Sequence, residues 1–290
     1  MCLEGGRLYL IEKGCLMSIN LEDFFKGINR EIQSNNFEEA LNKSNYLLSL
    51  IEANEVEFDT EFLIKLLDTR SFILTIMGNN AQALEDINRA IEEKNGISST
   101  SDDQLAKLLI HRGLNYFYLG NHISSLKDFN TAIEILSSSA DKESTKLPQV
   151  FLNRGALLKK QGLRKESLED INKAISLLTK INNSKSIPIL INALIEKGLL
   201  LMEEEKFFES AYNFDLAISK SRQLLTTEKL KILGTHMRLI YYLIITNLAA
   251  GKHQDPINKL LMEAKSVVTN YGANEETSYW LNKIGEITAI

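Results

Sequence analysis

The chain has 290 residues, 44% of them hydrophobic, and only three prolines, a composition that can bury an extensive core in helices. Its 33 basic and 38 acidic side chains leave a formal net charge of −5, which argues against a broad nucleic-acid footprint. Two cysteines, Cys2 and Cys15, make neither a disulfide framework nor a zinc-ligand spacing, so a reducing, cytoplasmic setting is expected.

Residues 1–17 carry no helical period and are expected to form a flexible or atypical lead. Their apolar patch, Leu8 to Ile11, is broken by Glu12 and Lys13 and does not make a signal peptide. Residues 18–290 read as a single array of helix pairs. The first pair, Ser18 to about Leu50, is atypical. The second runs from about Glu57 to Met77, turns at Gly78-Asn79-Asn80, and returns from Ala81 to about Lys94. The linker NGISSTSDD precedes a third pair, about Asp102–Leu119 and Ile123–Leu136. The fourth, Phe151–Leu178, breaks at Gly162, with Pro148 near its start, and the fifth is about Pro188–Met202 and Phe207–Leu225. The sixth is degenerate: Glu228–Ala250, a turn at Gly251-Lys252-His253, then Pro256–Val268. Its greasiest run, Leu239–Ala250, is too short to cross a bilayer, so no direct membrane insertion is expected. A last helix, about Glu275–Ile287, puts Tyr279, Trp280 and Ile284 on one face and is expected to cap the array.

Fixed spacings run through these pairs. Gly78, Gly120 and Gly162 are 42 residues apart, as are Ala90, Ala132 and Ala174. The blocks from Thr69, His111 and Asn153 align in register, with a looser copy from Glu196. They carry small residues at Ser71, Gly113, Gly155 and Gly198, and Ile87, Phe129, Ile171 and Phe214 sixteen positions later. This pattern resembles the tetratricopeptide repeat family, with repeats longer than usual. The resemblance implies an all-α, right-handed α-solenoid of antiparallel helix pairs whose first helices line a concave groove.

The recurring glycines Gly113, Gly155 and Gly198 imply close helix approach. A second ladder sets Arg70, Arg112 and Arg154 sixteen residues before Asp86, Asp128 and Asp170, which a hairpin of helices could pair. Lys197 and Asn213 occupy that register in the fifth pair. Identical charged pairs in three successive repeats suit packing rather than catalysis. No GxSxG occurs, and His111, His122, His236 and His253 lack metal-ligand spacing, so no catalytic residue, metal or cofactor is expected.

The family's groove positions fall here on Lys65, Phe72, Lys107, His111, Leu114, Phe117, Tyr118, Asn153, Lys159 and Lys160. Lysines beside aromatic and aliphatic side chains suit an acidic or amphipathic peptide. The family's chaperone-binding subclass grips a carboxylate with a cationic clamp. Asn153 fits that pattern, but Ile110, Leu114, Asn192 and Glu196 replace its other members. The expected function is therefore a non-catalytic scaffold or adaptor binding a peptide or helix in its groove. The alternative is a structural subunit that associates, as a homo-oligomer or otherwise, through its ends or convex face.

Overall fold

The computed structural model describes residues 7–12, 15–97, 102–139, 141, 144–181, 183–225, 229–251, 254–272 and 274–288. Cys2, the linker stretch 98–101 and the Lys252-His253 part of the last turn lie outside the described residues. The chain forms two compact units, Met1–Ala140 and Asp141–Ile290.

The first unit opens on an antiparallel hairpin of β1 (Arg7–Glu12) and β2 (Cys15–Asn20), with Arg7 opposite Asn20 and Glu12 opposite Cys15. The segment expected as a flexible or atypical lead thus contributes two strands, and the other elements among the described residues are helices. Strands this short leave no trace in a search for helical periodicity. Six helices follow: α1 (Leu21–Gln33), α2 (Phe37–Glu52), α3 (Thr60–Ile76), α4 (Asn80–Asn95), α5 (Asp102–Tyr118) and α6 (His122–Ser138). The second unit holds α7 (Lys146–Lys160), α8 (Arg164–Ile181), α9 (Ser186–Glu203), α10 (Phe207–Leu225), α11 (Lys229–Ala249), α12 (Gln254–Tyr271) and α13 (Glu275–Thr288). Within each unit the helices stack as antiparallel pairs, the arrangement of an α-solenoid.

The hairpin turns are set by backbone chemistry. Asn35, Gly78, Gly120, Gly162 and Glu205 end the first helices with positive φ, between 55° and 80° in every case. The following amide reaches back five residues, as in Asn79 N to Leu74 O and Asn121 N to Tyr116 O, both 2.8 Å. This closes the helix C-terminus and reverses the chain. Glycine takes that conformation without strain, whereas Glu205 (φ 58°) holds it at roughly 1–2 kcal/mol.

The paired helices meet through a matched set of sizes. A β-carbon at Gly113 would lie 2.7 Å from the Phe129 ring, and one at Gly198 would lie 2.6 Å from Phe214. At Gly155 the facing residue is Ile171, and a β-carbon would sit at an ordinary 3.4 Å. Ser71 fits opposite Ile87 and donates its hydroxyl to Ala83 O at 2.8 Å. In two other pairs a serine reaches the opposite way, Ser125 Oγ to Gly113 O (2.8 Å) and Ser210 Oγ to Gly198 O (2.7 Å). Ser167, at the same register opposite Gly155, is buried with no hydrogen-bond partner for its hydroxyl.

The arginine ladder forms as a set of two-pronged ion pairs. Arg112 gives Nε and Nη2 to Asp128 at 2.7 and 2.8 Å, and Arg154 gives the same atoms to Asp170 at 2.6 and 2.7 Å. Arg70 holds Asp86 likewise, at 2.7 and 2.5 Å. The carboxylates are buried and the guanidinium groups mostly so. Arg70 also donates to Asn45 of α2 (3.0 Å) and Arg112 to Asn88 of α4 (3.3 Å), so each joins its own pair to the one before. At the chain's far end α13 lies against α11. Trp280 there stands 5.3 Å from the Tyr241 ring and 6.1 Å from Tyr242.

Candidate interaction surfaces

In the first unit the residues expected to line a groove gather along α3 and α5. Lys65 places its ammonium 4.4 Å from the centre of the Phe25 ring of α1. One register later, Lys107 Nζ reaches Asp68 Oδ2 at 2.6 Å, and His111 Nδ1 lies 2.5 Å from Asp68 Oδ1. Burial alone would push the Asp68 carboxyl up. The hydrogen bonds and charges of His111 and Lys107 outweigh it and hold the group below the usual range. Asp68 is therefore an ionised hub under the surface, and Lys107 and His111 are both partly spent on it.

Beyond this polar end the face turns apolar. Phe72 lies 6.2 Å from the His111 ring. Phe72, Ile76 and Tyr118 are exposed, with Leu114 and Phe117 half-buried, and Thr75 Oγ1 bonds Asn115 Oδ1 at 2.9 Å beneath. Helical spacing places Lys107, His111, Leu114 and Tyr118 on one stripe of α5, and Asp68, Phe72 and Ile76 on the facing stripe of α3.

In the second unit, Asn153 is half-buried on α7 and accepts from Gln149 Nε2 at 3.1 Å, while its own amide nitrogen is buried without a partner. Lys159 is tied to Glu203 of α9 at 3.2 Å, which also meets Arg164 at 3.3 Å. Lys160 is exposed. On the α3–α5 face Lys107 is thus already paired with Asp68, and in the second unit Lys159 is paired with Glu203, so these two lysines offer less charge than their residue type alone implies.

Two clefts of the second unit were not legible as sites in the sequence. One, of about 490 Å³, lies between α8, α9 and α10, with Leu168, Leu201, Phe208 and Tyr212 among its lining. The other, of about 460 Å³, lies between α10, α11 and α12 and includes Ala211, Leu243, Leu260 and Glu263. Arg222 grips Glu263 at 2.8 and 2.7 Å, and the buried His236 meets the same carboxylate at 3.1 Å and Ser221 Oγ at 2.7 Å. Burial opposes the charge on Glu263, yet Arg222 and His236 bring its pKa down to about 2. Among the described residues no group of three or more His, Cys, Asp or Glu could hold a metal ion, and no helix is long and apolar enough to cross a membrane.

No protein-family model matches the chain, and no curated protein matches it. Solved structures do. The fold is TPR-like. BtubC (BKLC) from P. vanneervenii is similar at 14% identity and a TM-score of 0.63, over 85% of this chain and 94% of its own. A signal-transduction ATPase of the STAND class with a tetratricopeptide repeat sensor, from Pyrococcus horikoshii, gives a TM-score of 0.69 at 13% identity. That match covers 93% of this chain and 39% of the larger one. A Rap protein complexed with Competence and Sporulation Factor gives 0.63 at 13% identity, over 93% of this chain and 75% of its own. At these identities the likeness concerns the fold.

Proposed function

We propose that this chain is a non-catalytic interaction scaffold that holds an amphipathic helix or peptide of another protein against the first-helix face of α3 and α5. The observation that carries this reading is the uncovered stripe there. Phe72, Ile76 and Tyr118 are 40%, 46% and 57% exposed, next to the polar cluster of Asp68, Lys107 and His111. Single exposed apolar side chains are ordinary, but a contiguous set rimmed by polar groups marks a contact surface. Apolar contact carries most of the affinity, because Asp68 already satisfies Lys107 and His111. Acidic residues on the partner add a salt-screened share through the outer side of Lys107. The Rap protein, complexed with Competence and Sporulation Factor, is a precedent for the fold holding a second molecule.

The test starts from full-length protein immobilised and exposed to lysate of its source cells. Each retained protein is then purified and titrated. Phe72→Ala and Tyr118→Ala should each weaken binding about tenfold, as loss of a central aromatic contact does. Circular dichroism should show both variants folded. Folded variants that bind like the wild type would overturn the assignment. Self-association of the wild type lost in the same variants would replace it with a homo-oligomer interface.

A further inference from the structure

The arginine ladder stops at the fifth pair. Lys197 of α9 stands where the arginines stand, Asn213 of α10 where the aspartates stand, and Asn172 of α8 at the register of Asn45 and Asn88. Among the described residues Lys197 has no ion-pair partner, although it is half-buried, and Asn213 turns its amide to Glu209 O at 2.7 Å. The α8–α9–α10 cleft opens at this incomplete rung, and Asn172, Lys197 and Asn213 are part of its wall. The second cleft lies on the other side of α10. Phe208 and Tyr212, one turn apart and 64% and 69% exposed, line both clefts and form the ridge between them.

We propose that this ridge and its two clefts are a second docking surface, for a segment of another protein bearing one carboxylate side chain beside two large apolar side chains. The apolar groups enter the clefts on either side of Phe208 and Tyr212. The carboxylate meets Lys197 and supplies from outside the charge that Asp86, Asp128 and Asp170 supply on the earlier rungs. Charge complementarity selects this occupant, because a partly desolvated cation without a counter-ion favours an incoming anion. Glu209 and Asp215, exposed along α10, disfavour further acids on the same segment. The surface shares no residue with the α3–α5 face, so each reading can fail without the other.

The experiment uses the immobilised full-length protein and a phage-displayed library of random dodecapeptides. Recovered peptides are labelled and titrated by fluorescence anisotropy at low and high salt. They should carry Asp or Glu next to Phe, Trp or Leu. Phe208→Ala and Tyr212→Ala should each lower affinity about tenfold or more. Lys197→Gln should lower it roughly two- to fivefold and remove the salt dependence, as for a partly exposed ion pair. Asn213→Asp, which supplies the missing carboxylate internally, should weaken binding in the same way while circular dichroism stays unchanged. Four results would overturn the proposal. They are no enrichment over a blocked surface, enrichment without acidic residues, and binding indifferent to Phe208→Ala and Tyr212→Ala in folded protein. The fourth is a concentration-dependent dimer abolished by Tyr212→Ala, which would make the occupant a second copy of this chain.

Discussion

Replacing Gly113 and Gly155 by alanine should move stability in opposite directions, although the two glycines occupy the same register. Alanine gains about 1 kcal/mol over glycine in helix propensity at either site. At Gly155 the new β-carbon meets Ile171 and the Ser167 carbonyl at 3.4 Å, so nothing must move and a net gain of about 0.5–1 kcal/mol remains. At Gly113 the β-carbon would stand 2.7 Å from Phe129, a ring with no exposed surface. Overpacking of this kind costs about 1–3 kcal/mol and outweighs the propensity gain. Urea unfolding followed by far-ultraviolet circular dichroism measures both. The double change Gly113→Ala with Phe129→Ile reproduces the combination found at Gly155 and Ile171, and should recover much of the loss. If Gly113→Ala were as stable as the wild type, or if both alanines shifted the midpoint the same way, the size-matching account would fail.

On the arginine ladder, Asp128→Asn leaves the Arg112 guanidinium without its buried counter-charge and should cost roughly 3 kcal/mol, whereas Lys197→Ala, which breaks no ion pair, should cost about 0.5 kcal/mol or less. Equal losses in the same urea assay would refute the distinction between complete and incomplete rungs. Acid sensitivity should centre on Glu263, whose folded pKa of about 2 lies below its ordinary 4.5. A depressed carboxyl stabilises the fold above the unfolded value and loses that contribution as pH falls from about 4.5 toward 2. The whole is worth about 3 kcal/mol. Asp68 acts in the same sense, and Asp86, which burial raises more than Arg70 lowers it, acts against it. Glu263→Gln should flatten the acid limb of stability against pH, and an unchanged slope would assign that limb to other groups.

Features fixed by residues near one another in sequence were the most legible. Asp102 opens α5 and Phe207–Leu225 spans α10 as the periodicity predicts, and Gly78, Gly120 and Gly162 all take the left-handed turn. The pairing of Arg112 with Asp128 and of Arg154 with Asp170 followed from a hairpin with a fixed sixteen-residue offset. What escaped depends on how one pair sits on the next. Asp68 draws Lys107 and His111 from the following pair, and Glu203 draws Lys159, so polar side chains that look available in the sequence are engaged. The close approach implied alike for three glycines holds at Gly113 and Gly198 and is relaxed at Gly155, because the size of the facing side chain decides it. The clefts beside Phe208 and Tyr212 arise from gaps between helices, which no local pattern encodes. The incomplete rung at Lys197 and Asn213 was visible, but not the space beside it.

Arg70 and Arg112 each answer to two neighbours at once, an aspartate in their own pair and an asparagine in the pair before. In an array whose members touch only adjacent ones, melting can begin at an end and travel inward, and its sharpness depends on the penalty at each boundary between folded and unfolded pairs. A shared guanidinium raises that penalty, since opening one pair strips a contact from the next. At Lys197 this register makes no such tie among the described residues, and the fourth and fifth pairs are joined there only by the more exposed ion pairs of Lys159 and Arg164 with Glu203. A bound segment spanning α8, α9 and α10 would restore the tie from outside, making occupancy and local order two expressions of one equilibrium.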